Sequence, residues 1–127
     1  MKTVLNLIVE KGNGALWGRV NVNDNLITAE AKTVEELESA IHDLVLDFED
    51  IDAEFEKQYD VFALFQQFDF LNITKVAKYA EINPGLLRQY SSGVKHPSQS
   101  QAKKIEETLH RLADELKNAA VLPKMIA

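Results

Sequence analysis

The segment from Asn72 to Ser98, NITKVAKYAEINPGLLRQYSSGVKHPS, constrains the fold more than any other part of this 127-residue chain. A short helical stretch stops at a tight turn, and a second helix starts behind Asn83-Pro84, a capping residue followed by the proline that suits a first helical position. Gly93 fits the left-handed residue that ends a helix, and Pro97-Ser98 begins another turn. Two short helices joined in this way are typical of a helix-turn-helix, which places its second helix in the DNA major groove.

Small and apolar side chains are needed where the two helices of such a motif meet. Val76, Ala77 and Ala80 are predicted to face the second helix, and the short side chain of Ala77 permits close approach. Ile82 is predicted to fill the turn, and Leu87 to bury the inner side of the second helix. A helical bundle without a DNA role is the alternative interpretation of the same pattern.

The outward side chains of the second helix are the candidate DNA readers. Arg88 can pair bidentately with guanine and Gln89 with adenine, so these two residues are the predicted base readers. Backbone contacts usually fall at helix ends and in the following loop, where phosphates can be reached. The predicted DNA-binding residues are Thr74, Lys75, Pro84, Gly85, Arg88, Gln89, Ser91, Ser92 and Lys95.

The first sixty residues show a different pattern, which predicts a β-β-β-α-β order. Residues 3–10, 15–22 and 26–31 are rich in strand formers and are separated by Gly- and Asn-containing turns. At Thr33-Val-Glu-Glu36, a capping box starts a helix whose apolar residues recur every three or four positions as far as Phe48. Residues 53–59 alternate as a fourth strand would. The predicted domain is therefore α+β, with one helix on an antiparallel sheet.

The remaining residues predict an all-α bundle. Helices are expected at 61–70, 73–80 and 84–92, and a fourth from Ser98 or Ser100. The predicted domains are accordingly 1–60 and 61–127. The last helix carries an apolar stripe, which either packs onto the bundle or forms the seam of a dimer. The apolar tail 121–127 either packs back onto the domain or frays. The stripe consists of Ile105, Leu109, Leu112 and Leu116.

Charge divides the chain at the same place. Residues 1–60 hold five Lys/Arg and fourteen Asp/Glu, 5 − 14 = −9, and residues 61–127 hold nine and six, 9 − 6 = +3. This asymmetry indicates different partners for the two halves, although solubility alone could explain an acidic surface. The absence of cysteine, of a long apolar run and of a signal-peptide pattern predicts a cytoplasmic protein without disulfides or contact with membranes.

Two features that could suggest catalysis are interpreted as non-catalytic. The acidic run between Asp47 and Glu56 spans a loop and a strand, and convergent ligands for a metal or acid–base site are not expected there. His42, His96 and His110 share no metal-ligand spacing, and His96 is at most a phosphate contact. No enzyme activity, metal or cofactor is therefore predicted.

Two resemblances extend these inferences. Residues 61–117 resemble the lambda-repressor/Cro-like helix-turn-helix family, through Thr74-x-x-Ala77 and through Gly93 followed by Pro97-Ser98. Residues 1–60 resemble HicB-type antitoxins, above all at 24–41, DNLITAEAKTVEELESAI. HicB domains usually carry a Pro-Asp-containing turn before the third strand, whereas this chain has Val-Asn-Asp-Asn at 22–25.

The combined resemblance implies an antitoxin-type transcriptional repressor. Its N-terminal domain would neutralise a small basic HicA-type mRNA-cleaving toxin, and its C-terminal domain would bind double-stranded operator DNA as a homodimer or higher homo-oligomer. The acidic half fits this expectation, because a toxin that grips RNA must be basic. An orphan DNA-binding regulator and an interaction module that only oligomerises remain as alternatives.

Overall fold

The computed structural model describes residues 2–124, which form four strands and five helices. The α+β class expected from the sequence is confirmed. In chain order the elements are β1 (Thr3–Lys11), β2 (Leu16–Val22), β3 (Asn25–Ala31), α1 (Val34–Glu49), β4 (Ala53–Tyr59), α2 (Val61–Gln67), α3 (Ile73–Ala80), α4 (Pro84–Ser92) and α5 (Gln99–Lys117).

The strands form one mixed sheet in the order β3-β2-β1-β4. β1 pairs antiparallel with β2, and β2 with β3, as a meander requires. β4 pairs with β1 in parallel, with Val9 opposite Tyr59. The predicted all-antiparallel sheet is therefore wrong at its fourth strand. The reason is the connection: α1 carries the chain back across the sheet, so β4 starts at the same end as β1.

One core lies between α1 and the sheet. Leu37, Ile41 and Val45 of α1 have no exposed surface and pack on strand residues such as Leu7. Gly18 permits this close approach, since a Cβ there would lie 2.8 Å from Leu37 Cδ2. Burying each such side chain contributes roughly 1.5–3 kcal/mol.

Two phenylalanines of the predicted helices lie outside the hydrophobic cores. Phe48, expected on the buried face of α1, lies in the last turn of that helix and is 74% exposed. The helix predicted over 61–70 ends at Gln67, and Phe68 leaves the helix to make an edge-to-face contact with Tyr59 at 5.9 Å between ring centroids.

A second core fills the space among α2, α3, α4 and α5. Val61 and Phe65 of α2 belong to it, whereas Ala63 belongs to the sheet core. α2 therefore contributes to both cores, and the predicted division into domains 1–60 and 61–127 stays a prediction.

The apolar stripe of α5 is split along its length. Ile105 is buried and Leu109 packs against the second core, but Leu116 is 71% exposed. The packing interpretation is therefore confirmed for the first half of α5 only. Of the predicted apolar tail, Val121 and Leu122 are exposed, and residues 125–127 lie outside the described residues. Within residues 2–124, no helix is long and apolar enough to cross a membrane.

Candidate nucleic-acid interface

The turn between α3 and α4 is closed by backbone hydrogen bonds and one apolar side chain. Glu81 adopts a left-handed conformation with φ 57°, and its N–H donates to Ala77 O and Lys78 O. The N–H of Ile82 donates to Ala77 O at 2.9 Å, and the Ile82 side chain is buried in the second core, as predicted. These bonds satisfy carbonyls at the end of α3, so the angle between the two helices is tightly constrained.

α4 is capped at both ends. Asn83 Oδ1 accepts a hydrogen bond from Leu86 N at 3.2 Å, and Pro84 occupies the first turn. At the other end Gly93 has φ 81°, and its N–H donates to Tyr90 O at 3.1 Å. A nine-residue helix is marginal by itself, so these caps and tertiary packing stabilise it.

The two faces of α4 differ in exposure. Leu87 is fully buried, as predicted, and Tyr90 is 7% exposed beside it. On the opposite side Arg88 and Gln89 are exposed to solvent. Tyr90 was missed by the sequence reasoning, although its three-residue spacing from Leu87 was the available signal.

A hydrogen bond joins the outer surfaces of the two helices. Arg88 Nη1 donates to Thr74 Oγ1 at 3.1 Å, so the first turn of α3 lies beside the middle of α4. Thr74 and Lys75 are both exposed there. The structure therefore brings the predicted contact residue Thr74 next to the predicted base reader Arg88.

Other residues of the predicted set serve the helix itself. Pro84 and Gly85 are half-buried at the start of α4, and a Cβ at Gly85 would lie 3.1 Å from Asn83 Oδ1. The hydroxyl of Ser91 donates to Arg88 O at 3.0 Å, and that of Ser92 donates to Gln89 O at 3.1 Å. Both serine hydroxyls keep lone pairs but have already used their protons.

Lys95 lies just beyond α4 and is exposed. Its backbone N–H donates to Gln89 O at 3.2 Å, which ties the turn to the end of the helix. His96 is exposed in the same turn. On α5, Lys104 is exposed, and Lys103 lies 3.9 Å from Glu107.

Lys11 was not predicted, yet it connects the sheet to α4. Its Nζ donates to Ser92 O at 2.9 Å and lies 5.3 Å from the centre of the Phe62 ring. Gly93 is packed against the same side chain, since a Cβ there would lie 2.7 Å from Lys11 Cδ. No sequence pattern signals a contact between residues 81 positions apart.

The acidic run is largely dispersed by the fold. Asp52 lies 2.8 Å from His42 Nε2, and Glu49 accepts hydrogen bonds from Asn23 and Asn25. Glu56 is on β4. Across the described part of the chain, no group of three or more His, Cys, Asp or Glu side chains is arranged to hold a metal ion.

The chain matches no protein-family model, no curated protein and no solved structure. Its function is therefore inferred from the arrangement of its own residues.

Proposed function

We propose that the protein is an antitoxin-type transcriptional repressor that binds operator DNA through α4. One observation carries the DNA-binding part of this proposal: Arg88 and Gln89 project side by side from the exposed face of a helix that is capped at both ends. A rigid helix with an exposed polar face fits the width of the major groove.

Arg88 and Gln89 are the proposed base readers. A guanidinium can donate two hydrogen bonds to guanine O6 and N7, and an amide can pair with adenine N6 and N7. The hydrogen bond from Arg88 to Thr74 supports this role, because it orients the guanidinium before DNA arrives.

Lys75, Thr74 and Lys95 are the proposed phosphate contacts. They lie at the start of α3 and just beyond the end of α4. Contacts at two such points would set the register of α4 in the groove without reading sequence.

The acidic half is proposed to neutralise a small basic toxin of the HicA type. What supports this is the charge of residues 1–60, which repels nucleic acid and attracts a basic protein. The repressor is proposed to act as a homodimer or higher homo-oligomer, since the helix-turn-helix motifs of two linked subunits can bind the two half-sites of an operator. We propose a cytoplasmic, non-enzymatic protein.

A mobility-shift titration with DNA from upstream of its own coding region tests the DNA-binding role. Arg88→Ala or Gln89→Ala should cost about 1–3 kcal/mol of discrimination at one base pair. Lys95→Ala should weaken binding to all sequences alike and reduce the salt slope by about 1.

Matched controls lie away from the proposed interface. Gln66→Ala removes an exposed amide from α2, and Lys117→Ala removes one positive charge from the end of α5. If these variants weaken binding as much as Gln89→Ala and Lys95→Ala do, the proposed docking of α4 is wrong.

The alternative functions predict different results. A module that only oligomerises would give no salt-dependent, sequence-preferring shift with any DNA. An orphan regulator would give the shift but would have no basic partner, so a short basic protein encoded in the adjacent reading frame would speak against it.

A further inference from the structure

Among residues 2–124, no helix covers one of the two faces of the sheet. Side chains alternate between the two faces of a strand, and those facing α1 form the core. We call the opposite side the open face. Trp17 lies on it, because its neighbours Leu16 and Gly18 both face the core. Trp17 is half-buried and belongs to neither core.

Carboxylates flank Trp17 on the open face. The strand register places Glu10 of β1 opposite Trp17 on one side and Glu30 of β3 opposite it on the other. Glu10 is paired with Arg19 at 2.8 Å, whereas Glu30 is exposed and has no ion pair or side-chain hydrogen bond within residues 2–124. The indole therefore lies between two acidic side chains.

The open face is acidic as a whole. Within the four strands, the side chains that alternate with the core positions include four glutamates and one arginine, 1 − 4 = −3. Besides Glu10 and Glu30 the glutamates are Glu54 and Glu56, both exposed on β4. Arg19 is the arginine.

The acidic side chains of α1 are more fully engaged within the protein. Glu38 pairs with Lys57 at 2.9 Å, Asp43 lies 3.4 Å from His42, and Glu35 accepts from Gln67 at 3.3 Å. A partner docking on α1 would compete with these contacts. A partner that binds Glu30 on the open face would displace no such contact.

We propose that the open face is the surface that binds the basic protein partner, with an arginine or lysine of that partner on Trp17 between Glu10 and Glu30. An indole ring attracts a cation over its face, and the carboxylate of Glu30, which has no ion pair within residues 2–124, strengthens that attraction. This inference rests on the proposed basic partner of residues 1–60.

Charge argues against two other occupants. Nucleic acid would bring negatively charged phosphates against a face whose net charge is −3, and the two would repel each other. A second copy related by a two-fold axis would place acid against acid, because the same patch meets itself in such a dimer.

Titration with a nine-residue arginine peptide at about 150 mM NaCl tests the proposal at physiological screening. Trp17 is the only tryptophan in the chain, so its fluorescence reports on the open face directly. We expect the peptide to change Trp17 emission. The double variant Glu30→Gln/Glu56→Gln should weaken binding of the peptide about 5–10-fold, because it neutralises two of the four carboxylates of the open face.

The matched control is Glu36→Gln/Asp47→Asn, which removes the same charge from exposed positions on α1. It should change the affinity less than about twofold, since these charges lie across the sheet from the peptide. Circular dichroism and a mobility shift with operator DNA would show that each variant is folded.

Three results would overturn the proposal. The first is an equal loss of peptide affinity in the two double variants, and the second is calorimetric binding without a change in Trp17 emission. Either result would mean that the peptide binds elsewhere on the protein, but it would not contradict the proposed basic partner. No calorimetric binding of the peptide to the folded wild-type protein would remove the basic partner as well. A retained DNA shift would still leave the repressor role intact.

Discussion

At the scale of single residues, His42 and Asp52 form a pair in which the fold changes the pKa of both members. His42 Nε2 lies 2.8 Å from Asp52 Oδ1, and its Nδ1 lies 3.4 Å from Asp43 Oδ1. The hydrogen bond to Asp52, followed by that to Asp43, raises the pKa of His42 above its ordinary 6.5. The same hydrogen bond from His42 lowers the pKa of Asp52 below its ordinary 3.8.

The pair should stabilise the fold most in mildly acidic solution. Because the folded pKa of His42 lies above 6.5, its stabilisation is complete below pH 6.5 and is lost as pH rises through the folded value. For Asp52 the stabilisation is present above pH 3.8 and is lost as pH falls through its lowered pKa. We therefore expect His42→Gln to reduce the free energy of unfolding more at about pH 5.5 than at about pH 8.

An NMR titration checks the cause of this pH dependence. In the wild-type protein the His42 pKa should lie above 6.5, and Asp52→Asn should lower it more than Asp43→Asn does. If the two substitutions act equally, or if neither moves the His42 pKa, the 2.8 Å contact does not control this titration.

At the scale of elements, α4 depends on its caps because nine residues do not hold a helix by themselves. Asn83→Ala removes the side-chain acceptor for Leu86 N, and we expect the free energy of unfolding to fall by about 1 kcal/mol. Urea denaturation measures this change. Asn83→Ser, which keeps an acceptor at the cap, is the control and should retain most of the stability; equal losses in both variants would show that the capping bond is not the cause.

At the scale of the whole molecule, the contact of Lys11 with Ser92 ties the sheet to the C-terminal end of α4. Lys11→Met keeps the apolar stem but removes the donor, and we expect a loss of about 1 kcal/mol together with faster amide hydrogen exchange in the last turn of α4. Lys32→Met, an exposed lysine beyond β3, is the matched control and should leave that exchange unchanged. Unchanged exchange in Lys11→Met would mean that the contact does not stabilise α4.

Local patterns predicted much of the fold and of the candidate interface because they depend on neighbouring residues. The cap at Asn83, the left-handed Gly93 and the buried Leu87 all follow from spacing along one helix, and the structure has each of them. The predicted DNA contacts themselves are still predictions. Gly85 and Ser91 were assigned to the interface, and in the structure one adjoins the cap and the other bonds its own helix.

Other features depend on residues that are distant in sequence, so no local pattern could reveal them. The close contact of Gly18 with Leu37 requires the helix to lie on the sheet, and the donation from Lys11 to Ser92 requires the sheet and α4 to meet. The exposure of Phe48 depends on how the end of α1 packs against the rest of the protein, which its periodicity does not specify.

The sequence by itself determined where helices and strands form, since caps, turns and periodicity act within a few residues of one another. It also determined the division of charge between the two halves. Only the tertiary structure decided the parallel pairing of β4 with β1, the side of the sheet left uncovered and the position of Trp17 between Glu10 and Glu30. These depend on which strand edges pair and which face α1 covers, and such choices are made by burial across the whole molecule.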